Sequence, residues 1–176
     1  MTSEELATSI RNVRDFPKPG IVFRDITTLL KDPHCFASVN EILAKRYNEA
    51  KIDKVVGVES RGFIFAASLA LQLGAGFVPI RKKGKLPAAV LREDYALEYG
   101  SDSIEIHRDA ISKGDRILLH DDLLATGGTI AAAAKLIERL GGTIIEIAFL
   151  IELAFLNGRK HLEGRNVFSV MVAERE

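Results

Sequence analysis

A chain of 176 residues, 47% of them apolar, is long enough for one domain with a sizeable core and too apolar for general disorder. Lys and Arg number 24 and Asp and Glu number 24, so the formal net charge is zero. That balance argues against a nucleic-acid or membrane partner, and any anion site must come from local placement. Cys35 is the one cysteine, which excludes an intramolecular disulfide. There is no signal-like N-terminal pattern and no apolar run of bilayer length, so a soluble, cytoplasmic protein is expected.

In chain order, residues 2–13 suit a first helix, with Thr2 and Glu5 spaced as a capping box. Pro17, Pro19 and Gly20 then force an irregular segment. Asp32-Pro33 marks a second helix start, continuing to about Tyr47. Residues 55–58 read as a buried strand, 63–73 as a helix and 77–80 as a strand. Residues 81–92 are basic and rich in turn formers, and 84–100 show no clear core face, a pattern that suits a flexible lid. Residues 116–120 form a short strand around Ile117, Leu118 and Leu119. In the helix expected over 129–140, Ile130, Ala133, Ala134, Ile137 and Leu140 repeat at helical spacing, while Lys135, Glu138 and Arg139 fall outside the stripe. Gly141 and Gly142 end it, and residues 143–150 read as a fourth core strand. Alternating strands and helices predict an α/β fold with a mainly parallel central sheet flanked by helices, as a single domain over 1–176 with a small N-terminal hood over about 1–32. The loops after Val58, Ile80 and His120 would all emerge at the carboxyl ends of strands, where such sheets bind ligands.

Three loops there carry chemistry. Residues 121–129, DDLLATGGT, join a strand to a helix N-terminus, where free amides and the helix dipole favour an anion. Gly127 and Gly128 allow close backbone approach, Thr126 and Thr129 supply hydroxyls, and Asp121 and Asp122 offer acceptors for sugar hydroxyls or a metal. A Gly pair by itself is ordinarily only a turn; here phosphate donors and hydroxyl acceptors are adjacent and ordered. No G-x-x-x-x-G-K-[ST] occurs, and Gly74-Ala75-Gly76 lacks both the third glycine and a preceding strand for a dinucleotide fingerprint. Glu59-Ser60-Arg61-Gly62 precedes a second helix; Arg61 would contact phosphate bidentately or else pair with an acid. The run Arg81-Lys82-Lys83-Gly84-Lys85 would in isolation be a solvated face, but it follows a core strand.

The loop over 121–129 resembles the 5-phosphoribosyl-1-pyrophosphate (PRPP) signature of the type I phosphoribosyltransferases. FPKPGIVFRDIT (16–27), VVGVESRGFIFA (55–66), VPIRKKGKLP (78–87), YALEYG (95–100) and FLIEL (149–153) extend the resemblance over nearly the whole chain and point to the branch that uses adenine. The resemblance implies that fold, transfer of the phosphoribosyl group from PRPP to adenine, and a homodimer. It implies PRPP binding by Asp121, Asp122, Ala125, Thr126, Gly127, Gly128 and Thr129. Pyrophosphate falls to Glu59, Ser60, Arg61, Lys82 and Lys85, in a loop that often carries a non-proline cis peptide. Adenine falls to Phe23 by stacking, to Val22 and Arg24 through their backbones, and to Leu153 on the other base face. Glu98 matches the carboxylate that handles a base proton near the purine N7. Mg²⁺ is expected through PRPP and water, with no direct protein ligand. Arg24 and Asp25 would serve equally as a structural pair. His120 departs from the pattern, which is usually a β-branched aliphatic before the paired aspartates, and weakens the expectation of a fully buried strand. A transferase for another purine base, such as xanthine or guanine, and a non-catalytic PRPP-sensing regulator stay open.

Overall fold

The computed structural model describes residues 1–97 and 100–175. Helix α1 (Ser3–Thr8) opens with the expected capping box: the Glu5 N–H donates to Thr2 Oγ1 at 3.2 Å, and the Thr2 N–H to the Glu5 carboxylate at 2.8 Å. It ends well short of residue 13. Only Leu6 of α1 is buried, and the chain turns at Ser9 into β1 (Arg11–Arg14), antiparallel to β2 (Val22–Asp25). Cross-strand pairs explain the switch. Arg11 Nε donates to Asp25 at 2.9 Å and Arg24 to Asn12 at 2.5 Å, contacts that a helix through residue 13 could not make. Arg24 and Asp25 therefore do not pair with each other. This two-stranded ribbon is the body of the hood.

After α2 (Thr27–Leu30), α3 (Pro33–Tyr47) starts where the sequence places it, with the Asp32 carboxylate accepting the His34 and Cys35 amides. Then follow β3 (Lys54–Val58), α4 (Gly62–Leu73), β4 (Gly76–Lys82), β5 (Val90–Leu97), β6 (Gly100–His107), β7 (Arg116–Leu124), α5 (Gly128–Arg139), β8 (Thr143–Leu153) and β9 (Val167–Ala173), with two 3₁₀ turns between β8 and β9. Among the described residues these strands form one seven-stranded sheet in the order β5-β6-β4-β3-β7-β8-β9. β4, β3, β7, β8 and β9 are parallel; β5 and β6 make an antiparallel hairpin that extends the β4 edge.

The sheet is covered on both faces, and strand parity sorts the core. Leu118 of β7 and Ala148 and Leu150 of β8 point to the side of α3 and α4, with Leu43, Phe65 and Leu69. Ile117 and Leu119, with Ile147 and Phe149, point to the side of α5, against Ile130, Ala134 and Ile137. His120 is fully buried, at 0% exposure, so the strand is buried through its polar end after all. Four elements exceed the sequence reading. β7 runs to Leu124, so Asp121 and Asp122 belong to the strand, Asp121 opposite Phe149 of β8. β5 and β6 alternate charged and apolar residues too sparsely for a core pattern, yet Leu91 and Tyr95 pack against the α5-side core. β9 pairs on one side only, and the sequence reading places no element there.

Candidate active site

The carboxyl ends of β3, β4 and β7 meet in one cleft of about 640 Å³, lined in part by Glu59, Arg61, Lys82, Tyr95, Asp122 and Thr129. A second hollow of about 320 Å³ adjoins it, formed by residues 123–130 with Asp121. Its floor is the start of α5. Gly127 caps that helix with φ at 88°, and a Cβ there would run into the Gly158 carbonyl, so only glycine fits the turn. No side chain caps the helix and no acidic residue occupies its first turn. The first-turn amides therefore face the hollow with the positive end of the helix dipole, a cradle for a phosphate-sized anion. Ala125, Thr126, Gly127, Gly128 and Thr129 all line it.

Beside the cradle stand the paired aspartates. Asp121 is half-buried and accepts the Asp122 N–H at 2.9 Å; Asp122 is only 5% exposed, deeper than a solvent-facing strand tip. Burial, and then the charge of Asp122, push Asp121 well above the usual carboxylate range. Burial also raises Asp122, against the pull of Arg61. Arg61 Nε lies 2.9 Å from Asp122 Oδ2, but the N–H is not aimed along a hydrogen bond, and that oxygen keeps an unfilled acceptor. Gly62 lets the N-terminus of α4 come this close, since a Cβ on it would lie 2.8 Å from Asp121 Oδ1.

The peptide Glu59–Ser60 is cis. Glu59 organises the basic loop: its carboxylate accepts Lys85 Nζ at 2.6 Å, the Lys82 N–H at 3.0 Å and the Arg81 guanidinium at 3.3 Å. Burial alone would raise this carboxyl, but Lys85, the Lys82 amide and Arg81 outweigh it and hold it at about 2. With its carboxylate so occupied, Glu59 could reach an anion only through its backbone. Lys82 Nζ lies 3.3 Å from Asp102 of β6, which also accepts the Tyr95 hydroxyl at 3.3 Å. Tyr95, whose hydroxyl also meets the Thr129 side chain, is raised by its own burial first and then by the charge of Asp102. The β5–β6 hairpin thus touches both the basic loop and the phosphate loop.

The hood closes the other side. The Arg61 guanidinium lies 5.0 Å over the Phe23 ring, and Phe16 meets that ring edge-on at 5.2 Å. Val22 and Arg24 have the same parity on a two-stranded ribbon, so they present backbone groups along one edge. Leu153 is 8% exposed and packs in the core with Val170 and Met171, whereas Leu123 lines the cleft. Glu98 lies outside the described residues. Sequence reasoning missed Tyr95, Asp102, Leu123 and Gly158. Leu123 could have been found, because it sits inside the DDLLATGGT motif. Asp102 carries no local signal; only the β5–β6 register brings it opposite Tyr95. No helix among the described residues is long and apolar enough to cross a membrane, and no group of three or more His, Cys, Asp or Glu among them is placed to hold a metal ion.

The model of the phosphoribosyl transferase domain matches residues 25–171. An adenine phosphoribosyltransferase of Chloroflexus aurantiacus is 59% identical over 171 residues, covering 97% of this chain and 99% of the relative. One from Escherichia coli O157:H7 is 55% identical over 166 residues, covering 94% and 91%. Among solved structures, adenine phosphoribosyltransferase from Thermoanaerobacter pseudethanolicus superposes with a TM-score of 0.95 at 53% identity, covering 98% of this chain and all of that one. The Saccharomyces cerevisiae enzyme, solved with adenine and an imino-altritol bisphosphate, gives a TM-score of 0.90 at 42% identity, covering 96% and 97%.

Proposed function

The chain belongs to the phosphoribosyltransferase family, among its adenine phosphoribosyltransferases, and from that premise we propose how the cleft works. The protein transfers the 5-phosphoribosyl group of PRPP to adenine, giving AMP and pyrophosphate, a purine-salvage reaction. The observation that carries the assignment of the site is the uncapped, acid-free first turn of α5 beside one half-buried and one buried aspartate. Residues 125–129 hold the 5-phosphate, and Asp121 and Asp122 take the ribose hydroxyls. As the bond from C1 to pyrophosphate breaks, positive charge develops on the sugar ring. These two carboxylates stabilise it better than water would, because they are already fixed in place.

Pyrophosphate leaves toward Arg61, Lys82 and Lys85, with the Ser60 backbone at the α4 N-terminus. Phe23 stacks on adenine, Val22 and Arg24 read its edge through their backbones, and Leu123 faces the base from the phosphate loop. That last role replaces Leu153, which is buried in the core. Glu98 handles the proton released as N9 bonds to the sugar. Mg²⁺ would be held by the phosphate oxygens of PRPP, by water and by Asp121 and Asp122 through hydroxyls or water; when bound it neutralises the leaving group. A homodimer is supported by the exposed apolar side chains Ile64 and Leu71 on α4 and Phe77 on β4. A cytoplasmic location accords with one buried, free cysteine.

The purified protein, given PRPP and Mg²⁺ with adenine, guanine, hypoxanthine and xanthine in turn, should form a nucleotide and pyrophosphate with adenine alone. Turnover with an oxopurine but not adenine would overturn the base assignment, and no turnover with any base would point to a PRPP-sensing role.

A further inference from the structure

Arg61 makes two contacts that a substrate would also need. Its guanidinium lies 5.0 Å over the Phe23 ring, and its Nε lies 2.9 Å from Asp122 Oδ2. The side chain is 33% exposed and projects into the cleft with Asp121, Asp122 and Leu123. A purine joined to a ribose held at Asp121 and Asp122 must reach Phe23 from the cleft side. The guanidinium stands on that side. A flat cation and a flat base cannot share one ring face, because each needs to lie within a few ångströms of it. The contact to Asp122 is not aligned as a hydrogen bond, and the acceptor stays unfilled, so a better anion can draw the guanidinium away.

We infer that Arg61 couples the pyrophosphate subsite to the adenine subsite: its guanidinium either covers Phe23 and pairs with Asp122, or binds pyrophosphate and uncovers the ring for the base. A diphosphate offers bidentate oxygens with several negative charges, against a ring face and one off-line carboxylate oxygen. It therefore wins the guanidinium. By linkage, each ligand then strengthens the other to the same extent, without the two touching. Arg61 acts here as a positioning residue for the base through Phe23, in addition to any contact with the leaving group. The inference rests on Phe23 as the adenine platform.

Calorimetric titration of adenine tests it without turnover, since adenine and inorganic pyrophosphate have no ribose to exchange. In the wild type, pyrophosphate with Mg²⁺ should tighten adenine binding by about fivefold or more. Arg61→Ala should bind adenine more tightly than the wild type when no pyrophosphate is present, and should lose the coupling. Arg61→Lys keeps a charge for Asp122 but not the planar stack, and should fall between the two. Circular dichroism checks that both variants fold. A merely structural Arg61 would weaken adenine binding on removal. Wild-type binding indifferent to pyrophosphate, or Arg61→Ala binding adenine no better than the wild type, overturns the inference. Phe23→Leu separates the two levels. Adenine binding that ignores this change removes the platform and the coupling together. Binding that falls in Phe23→Leu but does not improve in Arg61→Ala removes the coupling alone.

Discussion

Asp122 shows how a single residue can be legible in kind but not in setting. Its acid group and its place beside Asp121 stand in the sequence; its 5% exposure does not, because the strand continues two residues beyond it. Burial pushes both carboxyls upward, and the charge of Asp122 raises Asp121 further. Asp122→Asn should therefore lower kcat/KM for PRPP by about tenfold or more, roughly 1.4 kcal/mol of transition-state stabilisation. Its melting temperature should hold or rise as the repulsion is relieved. Unchanged steady-state kinetics would remove this carboxylate from the ribose clamp.

His120 is the opposite case, a polar residue whose burial nothing nearby in the sequence announces. Neither ring nitrogen has a well-aligned hydrogen-bond partner, the Ala148 backbone offering a poor one, and Phe65 packs edge-on at 6.3 Å. Burial lowers its pKa from 6.5 to about 4, opposed only weakly by the Ala148 backbone. Because the folded state keeps the ring neutral, the unfolded state binds the extra proton. Stability is thus full above pH 6.5 and falls as pH drops toward 4, by up to about 3 kcal/mol. Glu59, held at about 2, titrates below that window, and the raised Asp121 and Asp122 act in the opposite sense. His120→Val should be more stable at pH 7 by about 1 kcal/mol, through loss of unsatisfied polar atoms. It should also lose most of the decline between pH 6.5 and 4. Denaturant titrations at several pH values would show this, and parallel curves for the two proteins would refute it.

At the scale of elements, those with a strong period or cap are the ones that sequence reading finds. α3 begins at the Asp32 cap, α5 follows its apolar stripe, and β3 and residues 117–119 of β7 are apolar runs because helices cover both faces. The ribbon β1–β2 and the hairpin β5–β6 were invisible for one shared reason. Each is held by cross-strand charge pairs, such as Arg11 with Asp25 and Arg92 with Glu105, which only register brings together. The hairpin is fastened to α5 through Glu93, which takes Arg139 at 2.8 Å and Lys135 at 3.5 Å. It is fastened to the basic loop through Asp102. That last contact puts a carboxylate where a pyrophosphate oxygen would sit beside Lys82. Lys82 is 58% exposed, so the pair contributes at most about 1 kcal/mol. Asp102→Asn should therefore lower KM for PRPP by no more than about fivefold, with kcat little changed and the gain shrinking at high salt. A raised KM would mean that Asp102 holds Lys82 in its productive place and does not compete for it.

For the whole molecule, the sheet that sorts Leu118 from Leu119 also aligns the three loops, since parallel strands end at one edge. The element alternation made that layout legible; the assembly was not, because an exposed apolar side chain has no sequence period of its own. Leu71 is 84% exposed and Phe77 37%, and Phe77 meets Phe63 of α4 at 5.7 Å, so helix and strand share this face. β4 runs from Phe77 directly into Arg81 and Lys82. A partner covering this face would steady the strand that delivers the basic loop. Leu71→Asp and Phe77→Asp each place a charge that an apolar interface must desolvate, at several kcal/mol. Sedimentation velocity should show a dimer for the wild type and a shift toward monomer for both variants. Because the steadied strand carries Lys82, KM for PRPP should rise with the monomer fraction while circular dichroism stays unchanged. A wild type that sediments as a monomer, or variants that remain dimeric, would show that copies do not meet through α4 and β4.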